Sequence, residues 1–167
     1  MTKIVTVNEK KDEKNLRQKT VDFDFSKFSK KEINDLIQDM KKTMVASNGV
    51  GLSANQIGLQ WRVFVAQVPV NKGESKFYAL FNPSILKTSK EEVSYEEGCL
   101  SVPGKYGEVS RPYYVIVKAQ DKNGRPVKIK AWALLARVFQ HEIDHLNGGL
   151  FIDKAKNIQD VSRPENS

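Results

Sequence analysis

The stretch AWALLARVFQHEIDHLN, residues 131–147, decides how this chain folds. It is rich in Ala and Leu, contains no Gly or Pro, and is followed by Gly148 and Gly149. This pattern is typical of a helix with a glycine stop. Few charges occur before Glu142, so we predict a central helix that is buried around much of its circumference.

Two histidines four residues apart in this helix, His141 and His145, lie on one face and can bind the same metal ion. The alternative is a pair of exposed imidazoles on a polar face. The chain has no other histidine, and the flanking positions are apolar: Val138, Phe139 and Leu146. We therefore favour metal binding.

The acidic residues of the same motif, Glu142 and Asp144, lie on either flank of the histidine pair. An imidazole that binds a metal needs a second acceptor to fix its tautomer. We expect Asp144 or a backbone carbonyl to be that acceptor.

A catalytic metal site usually has three protein ligands and one open position, so a third ligand is required. No histidine follows the helix, and the acidic residues after it are Asp153, Asp160 and Glu165. Upstream, the segment 96–104 contains Cys99, the only thiol in the chain. Taken alone, Cys99 could be a small buried hydrophobe or a redox thiol. Together with two imidazoles it would complete a site for a soft-to-borderline divalent ion.

A third segment, GVGLSANQIG at 49–58, is rich in glycine. It matches neither a phosphate-binding loop nor a dinucleotide fingerprint, because the helix precedes it and the third glycine is misplaced. It could be an ordinary helix-to-strand turn. Gln56, however, offers a neutral amide donor of the kind that an oxyanion site uses.

The remaining pattern indicates an α+β fold in which antiparallel strands pack around the central helix that carries the HExDH motif. Ser29 and Glu32 have the spacing of a capping box, and the apolar positions that follow predict an amphipathic helix ending near 47–49. Short strands are predicted at Trp61–Val68, Phe77–Phe81, Tyr113–Ala119 and Val127–Lys130, the last two forming a hairpin. We expect one domain over 1–167, with an extended arm at 1–22, a weak strand near Ile4–Val7, and a loose polar tail at 154–167.

The composition of the chain limits which functions are possible. The chain has 167 residues, a net charge of +7 and one cysteine. One cysteine cannot form an intramolecular disulfide, which suits a reducing cytosol, and we expect a cytoplasmic protein. No apolar run is long enough to span a bilayer and the first residues are too charged for a secretory signal, so we expect no membrane contact. The charge could reflect a soluble basic surface or attraction to a polyanion such as RNA. No linear run of Lys and Arg interleaved with aromatics occurs, so direct sequence-specific nucleic-acid binding is not predicted.

Three motifs, in this order, resemble those of peptide deformylases: GVGLSANQ (49–56), EGCLS (97–101) and QHEIDH (140–145). The resemblance runs from about residue 33 to 153. It implies an enzyme that removes the formyl group from the N-terminal formylmethionine of new polypeptides and releases formate. The implied partners are N-formylmethionyl nascent peptides, with a possible transient contact with the ribosome, and we expect a monomer.

The resemblance also implies the roles of individual residues. One divalent ion, Fe²⁺ first, with Zn²⁺, Ni²⁺ or Co²⁺ as alternatives, would be held by Cys99, His141 and His145. Metal-bound water would attack the formyl carbon, with Glu142 as general base and then acid. The Gln56 amide and the Leu100 backbone N–H would stabilise the oxyanion.

We expect the peptide to lie extended along 49–51 and 95–98, with an apolar pocket for methionine. The predicted substrate-binding residues are Val50, Gly51, Glu97, Gly98 and Val138; for the two valines, core packing is the alternative. Ala133 stands where glycine is common in the family, and we expect it to favour the helix.

Two other functions remain open. A zincin-like endopeptidase would use the same two-histidine helix, but it would take its third ligand downstream. A basic, non-catalytic binding module is the other alternative, although every residue that deformylation needs is present.

Overall fold

The computed structural model describes residues 2–161 and contains three α-helices, three short 3₁₀ helices and eight strands in that range. The helices are α1 (Lys10–Leu16), α2 (Lys30–Ala46) and α3 (Ala133–Leu146). The strands are β1 (Gly51–Ser53), β2 (Val63–Asn71), β3 (Glu74–Thr88), β4 (Glu92–Cys99), β5 (Val102–Pro112), β6 (Tyr114–Gln120), β7 (Pro126–Trp132) and β8 (Lys156–Asp160). The predicted α+β class is confirmed.

The strands form two antiparallel sheets. The five-stranded sheet has the order β1-β2-β3-β6-β7, and the three-stranded sheet has the order β4-β5-β8. Strand β1 is therefore an edge of the first sheet, and β4 is an edge of the second. The predicted hairpin is β6–β7, closed by the turn in which Asp121 accepts hydrogen bonds from the backbone N–H groups of Asn123 and Arg125.

Helices α2 and α3 pack on opposite faces of the five-stranded sheet. Val63 and Val65 of β2 belong to the apolar cluster around α2, whereas Phe64 belongs to the cluster around α3. Because β2 is covered on both sides, its sequence VFVA is a continuous apolar run and not an alternating one. Helix α3, which carries the two histidines, therefore lies between this sheet and Cys99, the candidate metal ligand at the end of β4 in the three-stranded sheet.

The predicted start and end of α2 are confirmed. The Ser29 side chain accepts from the backbone N–H of Glu32, and the Glu32 carboxylate accepts from the backbone N–H of Ser29. These two bonds satisfy donors that a helix N-terminus leaves free. At the other end, Asn48 takes a left-handed backbone with φ of 54°, which stops the helix.

The expectation for Ala133 is wrong. This residue begins α3 with φ of 52°, in the left-handed region where a Cβ crowds the backbone. A glycine would meet no such cost, so Ala133 strains the helix start instead of favouring it.

The described parts of the predicted arm and tail, residues 2–22 and 154–161, contain more regular structure than expected. Within 1–22, residues Lys10–Leu16 form helix α1, and Leu16 is fully buried. No strand forms at 4–7, but Val5 and Val7 donate backbone hydrogen bonds to the carbonyls of Gln56 and Ser101. The sequence pattern did not predict α1, because most of its residues are charged or polar and its stability comes from tertiary contact.

The tail predicted at 154–167 is also corrected where it is described. Residues Lys156–Asp160 form β8, which pairs with β5, and the rest of the prediction, beyond 161, lies outside the described residues. Backbone pairing keeps this strand in place although all five of its side chains are exposed. Among residues 2–161, no helix combines the length and apolarity that crossing a bilayer requires.

We expect Ala133→Gly to raise the free energy of unfolding by about 1 kcal/mol, because it removes the left-handed strain. Urea unfolding measures this change. As a contrast, Ala136→Gly within α3 should lower stability, since it adds backbone entropy in a helix interior and removes a buried methyl. Equal losses in both variants would contradict the assignment of strain to Ala133.

Candidate metal centre

The three predicted metal ligands come together. Atoms that can bind a metal on Cys99, His141 and His145 all lie within 4.8 Å of one another. The Cys99 Sγ is 3.1 Å from Nε2 of His145. The two histidines come from one face of α3, and the thiol comes from the last residue of edge strand β4.

This donor set fits one divalent ion. Metal–nitrogen and metal–sulfur bonds are about 2.0–2.3 Å long, so atoms this close can share a single ion. Burial would raise the pKa of the Cys99 thiol, but the charge of His145 and hydrogen bonds from both imidazoles hold that pKa well below its ordinary value. The thiolate, the form that binds metals, is therefore favoured.

A β-bulge between Gly98 and Cys99 turns the thiol toward the helix. Gly98 is packed against a neighbouring ring, because a Cβ at this position would lie 2.6 Å from the side chain of Tyr106. A larger residue would require the Tyr106 ring to move or the backbone of β4 beside the thiol to shift.

The acceptor that orients His141 is Glu97, whose carboxylate lies 2.9 Å from Nδ1 of His141. With Nδ1 bound in this way, Nε2 is the nitrogen available to a metal. The expectation for Asp144 is wrong, because its carboxylate binds Arg111 and Lys154.

Glu97 is held by two further cations. Arg111 donates to both of its oxygens at 2.7 and 2.9 Å, and Arg137 donates to one of them at 2.5 Å. Burial opposes ionisation, yet hydrogen bonds from His141 and Arg111 lower the pKa of Glu97 far below its ordinary value. Its side chain is therefore committed to this network, and its predicted contact with substrate stays a prediction.

The two arginines were not predicted as site residues. Arg137 lies one turn before His141 on the helix, a spacing that could have been noticed. Arg111 lies at an inward position of β5, where a charged side chain is uncommon. The inward orientation of Arg111 can be recognised only when β5 and the strand that pairs with it are known.

Glu142 is buried beside the candidate ligands. Its Oε2 forms no hydrogen bond with any of the described residues. Burial raises the pKa of Glu142 above its ordinary value, against the lowering effect of the two histidines. An unpartnered buried oxygen with a raised pKa is suited to hold and return a proton.

Gly51 allows Glu142 to occupy this place. A Cβ on Gly51 would lie 2.5 Å from Oε1 of Glu142, closer than a Cβ atom approaches a non-bonded atom. The glycine of β1 thus leaves room for the carboxylate of Glu142, and the segment 49–58 contributes to the site as well as forming a turn.

Gln56 points its amide nitrogen into the site. Its Oε1 accepts from the backbone N–H and hydroxyl of Ser53, so Nε2 faces Ser101 Oγ at 3.1 Å and Cys99 Sγ at 3.6 Å. The adjacent Asn55 donates to the carbonyl of His145 at 2.7 Å. These contacts join the three sequence motifs around one centre.

The site opens into a cavity of about 430 Å³ between edge strands β1 and β4. The predicted residues that line it are Val50, Gly51, Gln56, Glu97, Gly98, Cys99, Leu100, Val138, His141 and Glu142. His145 lies behind them and is almost fully buried. Lining residues that the sequence did not indicate include Leu134, Arg137 and Tyr106.

Comparison with known proteins shows the family of this chain. The family model described as polypeptide deformylase matches residues 1–161. A peptide deformylase of Prochlorococcus marinus is 44% identical over 133 residues, which are 80% of this chain and 66% of that protein. The chain thus spans about two thirds of the length of this relative.

Two solved structures are similar throughout. A probable peptide deformylase from Synechococcus phage S-SSM7 has 42% identity and a TM-score of 0.82, over 92% of this chain and 99% of that one. A peptide deformylase from Synechococcus elongatus, solved in complex with actinonin, has 35% identity and a TM-score of 0.81, over 93% and 79% of the two chains. With its motifs gathered in one site and a family match over nearly its whole length, this chain belongs to the polypeptide deformylase family.

Proposed function

We propose that this chain is a metal-dependent peptide deformylase that hydrolyses the formyl amide of N-formylmethionyl peptides and releases formate. The observation that carries the proposal is the cluster of Cys99, His141 and His145 beside the unpartnered carboxylate of Glu142. Family membership supports it.

Cys99, His141 and His145 are proposed to hold the ion, with Fe²⁺ favoured and Zn²⁺, Ni²⁺ or Co²⁺ as alternatives. A bound divalent ion would lower the pKa of a coordinated water and polarise a carbonyl. The donor set of one thiolate and two imidazoles suits such ions, which are softer than Mg²⁺ or Ca²⁺.

Glu142 is proposed to take a proton from the attacking water and deliver it to the departing amine. Its burial supports this role, because a carboxyl with a raised pKa can hold that proton between the two halves of the reaction. Because Gly51 has no side chain, the carboxylate has room to lie next to the cavity in which the substrate is proposed to bind.

Negative charge that develops on the formyl oxygen would meet the Gln56 amide and the backbone N–H of Leu100. The bonds from Ser53 to Gln56 Oε1 fix the amide in advance, so no reorganisation is required during the reaction. Both residues line the cavity beside the candidate ligands.

The substrate is proposed to bind as an added strand between the edges of the two sheets. Strand β1 ends the five-stranded sheet, and β4 ends the three-stranded sheet. Backbone hydrogen bonds to such edges do not depend on the side chains of the peptide. This mode suits an enzyme that acts on many nascent chains.

The methionine side chain is proposed to contact the apolar residues of the cavity. Val138 and Leu134 come from successive turns of α3, and Val50 comes from the segment before β1. We also propose a cytoplasmic monomer that contacts the ribosome transiently while nascent peptides emerge.

We expect Glu142→Gln to retain bound metal and lower kcat by about 10²- to 10⁴-fold, because proton transfer is lost while ligation remains. Metal analysis and a formate-release assay on a formyl-Met peptide measure the two effects. Glu108→Gln, the same change at an exposed position, should leave both unchanged. Full turnover in the Glu142 variant would remove this residue from the chemistry.

We expect Cys99→Ala to weaken metal binding on the order of a hundredfold or more and to abolish formate release, because a direct ligand is lost. Competition with a chromogenic chelator measures the affinity. A zincin-like peptidase would keep its metal in this variant, so unchanged affinity would overturn the proposed ligand set.

We expect Glu97→Gln to weaken metal affinity by about 10- to 100-fold, because His141 loses the charged acceptor that orients it. The matched control is Asp144→Asn, which removes another carboxylate from Arg111 without touching His141. Equal loss of affinity in the two variants would show that the network acts only through overall stability.

A further inference from the structure

One side of the five-stranded sheet is only half covered. Helix α2 packs against β1 and β2 on this side. On β6 and β7 the same side is open, and the exposed side chains there include Lys118, Lys128 and Lys130. The opposite side of these strands is buried against α3.

The register of the strands arranges this open side into three rows. Directly opposed residues across β3, β6 and β7 are Ser84–Lys118–Lys128, Lys87–Ile116–Lys130 and Tyr114–Trp132. We call the lysines of these rows together with Tyr114 and Trp132 the basic sheet face. In the linear sequence these residues are separated by buried ones, so no basic stripe is visible there.

The charge of the basic sheet face is uncompensated. The outward positions of β6 and β7 carry no carboxylate, and none of the four lysines forms an ion pair or hydrogen bond within residues 2–161. Lys118 and Lys128 stand directly opposite each other, an arrangement that costs stability. An anionic partner would offset that cost.

An aromatic platform adjoins the lysines. Trp132 is 53% exposed, and its ring packs on Tyr114 with centroids 4.8 Å apart. Successive outward residues on a strand are about 7 Å apart, so the cations and the exposed ring lie within reach of neighbouring nucleotides. Stacking rings beside a positive groove or face are the features that bind single-stranded nucleic acids without sequence preference.

We propose that the basic sheet face binds single-stranded RNA. The lysines contact phosphates, and a base stacks on Trp132. A lipid surface is less suited, because the three described rows across β3, β6 and β7 carry four lysines but only one exposed large apolar side chain, Trp132, whereas insertion requires several. The face lies on the other side of the sheet from α3, so this binding is independent of the proposed hydrolysis.

The first test measures binding of a fluorescein-labelled oligouridylate of about 12 nucleotides by anisotropy over a range of salt. We expect Lys118→Glu/Lys130→Glu to lower affinity at least tenfold and to reduce the salt slope by about 1.4, the value for two lost phosphate contacts. The control Lys10→Glu/Lys14→Glu makes the same charge change on α1 and should bind like the unmodified protein. Equal weakening in both double variants would overturn the proposal, since net charge alone would then explain binding.

The Lys118→Glu/Lys130→Glu variant should fold, because the carboxylate introduced at position 118 would lie opposite Lys128 and attract it. We expect its free energy of unfolding to be unchanged or slightly higher. Formate release should also be unchanged, because neither lysine lines the catalytic cavity. A failure of the proposed hydrolysis would leave the RNA result standing, and the reverse also holds.

The second test separates stacking from charge. Trp132→Ala should lower oligouridylate affinity about tenfold, whereas Trp132→Phe should retain most of it. Binding to phosphatidylserine vesicles without binding to the oligouridylate would overturn the proposal in favour of a lipid surface. Identical affinities of the Ala and Phe variants would overturn the role of Trp132.

Discussion

The buried carboxylate of Glu97 is the interaction on which the site depends. It binds Arg111 of β5, Arg137 of α3 and the ring of His141, and so joins the small sheet to the helix that carries both histidines. Removing one member of such a buried group leaves the others charged and unpaired, at a cost of about 3–5 kcal/mol. The position of an imidazole nitrogen thus depends on contacts between the small sheet and the helix.

Around this core, backbone atoms hold the remaining parts in place. Asn55 reaches the carbonyl of His145, and the N-terminal segment donates to the carbonyls of Gln56 and Ser101. These groups do not themselves react. They bring three segments that are distant in sequence to within hydrogen-bonding distance and leave the sheet edges β1 and β4 open on either side of the cavity.

Helix α2 could be predicted from sequence because its signals are local: a capping box at Ser29 and an apolar stripe of helical period. The pairing of two histidines was local too, and Cys99 followed from the need for a third ligand. Strands β4 and β5 form a hairpin, but Pro103, Gly104 and Gly107 interrupt the strand pattern of β5, since proline and glycine are uncommon inside strands. Strand β8 could not be located because its partner β5 is distant in sequence. The role of Arg111 depends on contacts with Glu97 and Asp144, which lie on other elements. Ala133 was misjudged since helix propensity describes interiors, and this residue sits at a left-handed start.

The contact between Gly51 and Glu142 limits how this protein can change. Every amino acid other than glycine carries the Cβ that would collide with the carboxylate. A replacement at position 51 that narrowed the cleft against an inhibitor would therefore also displace the carboxylate of Glu142. Changes at other walls of the cavity, such as Val50 and Leu134, would alter the size of the cleft without moving that carboxylate.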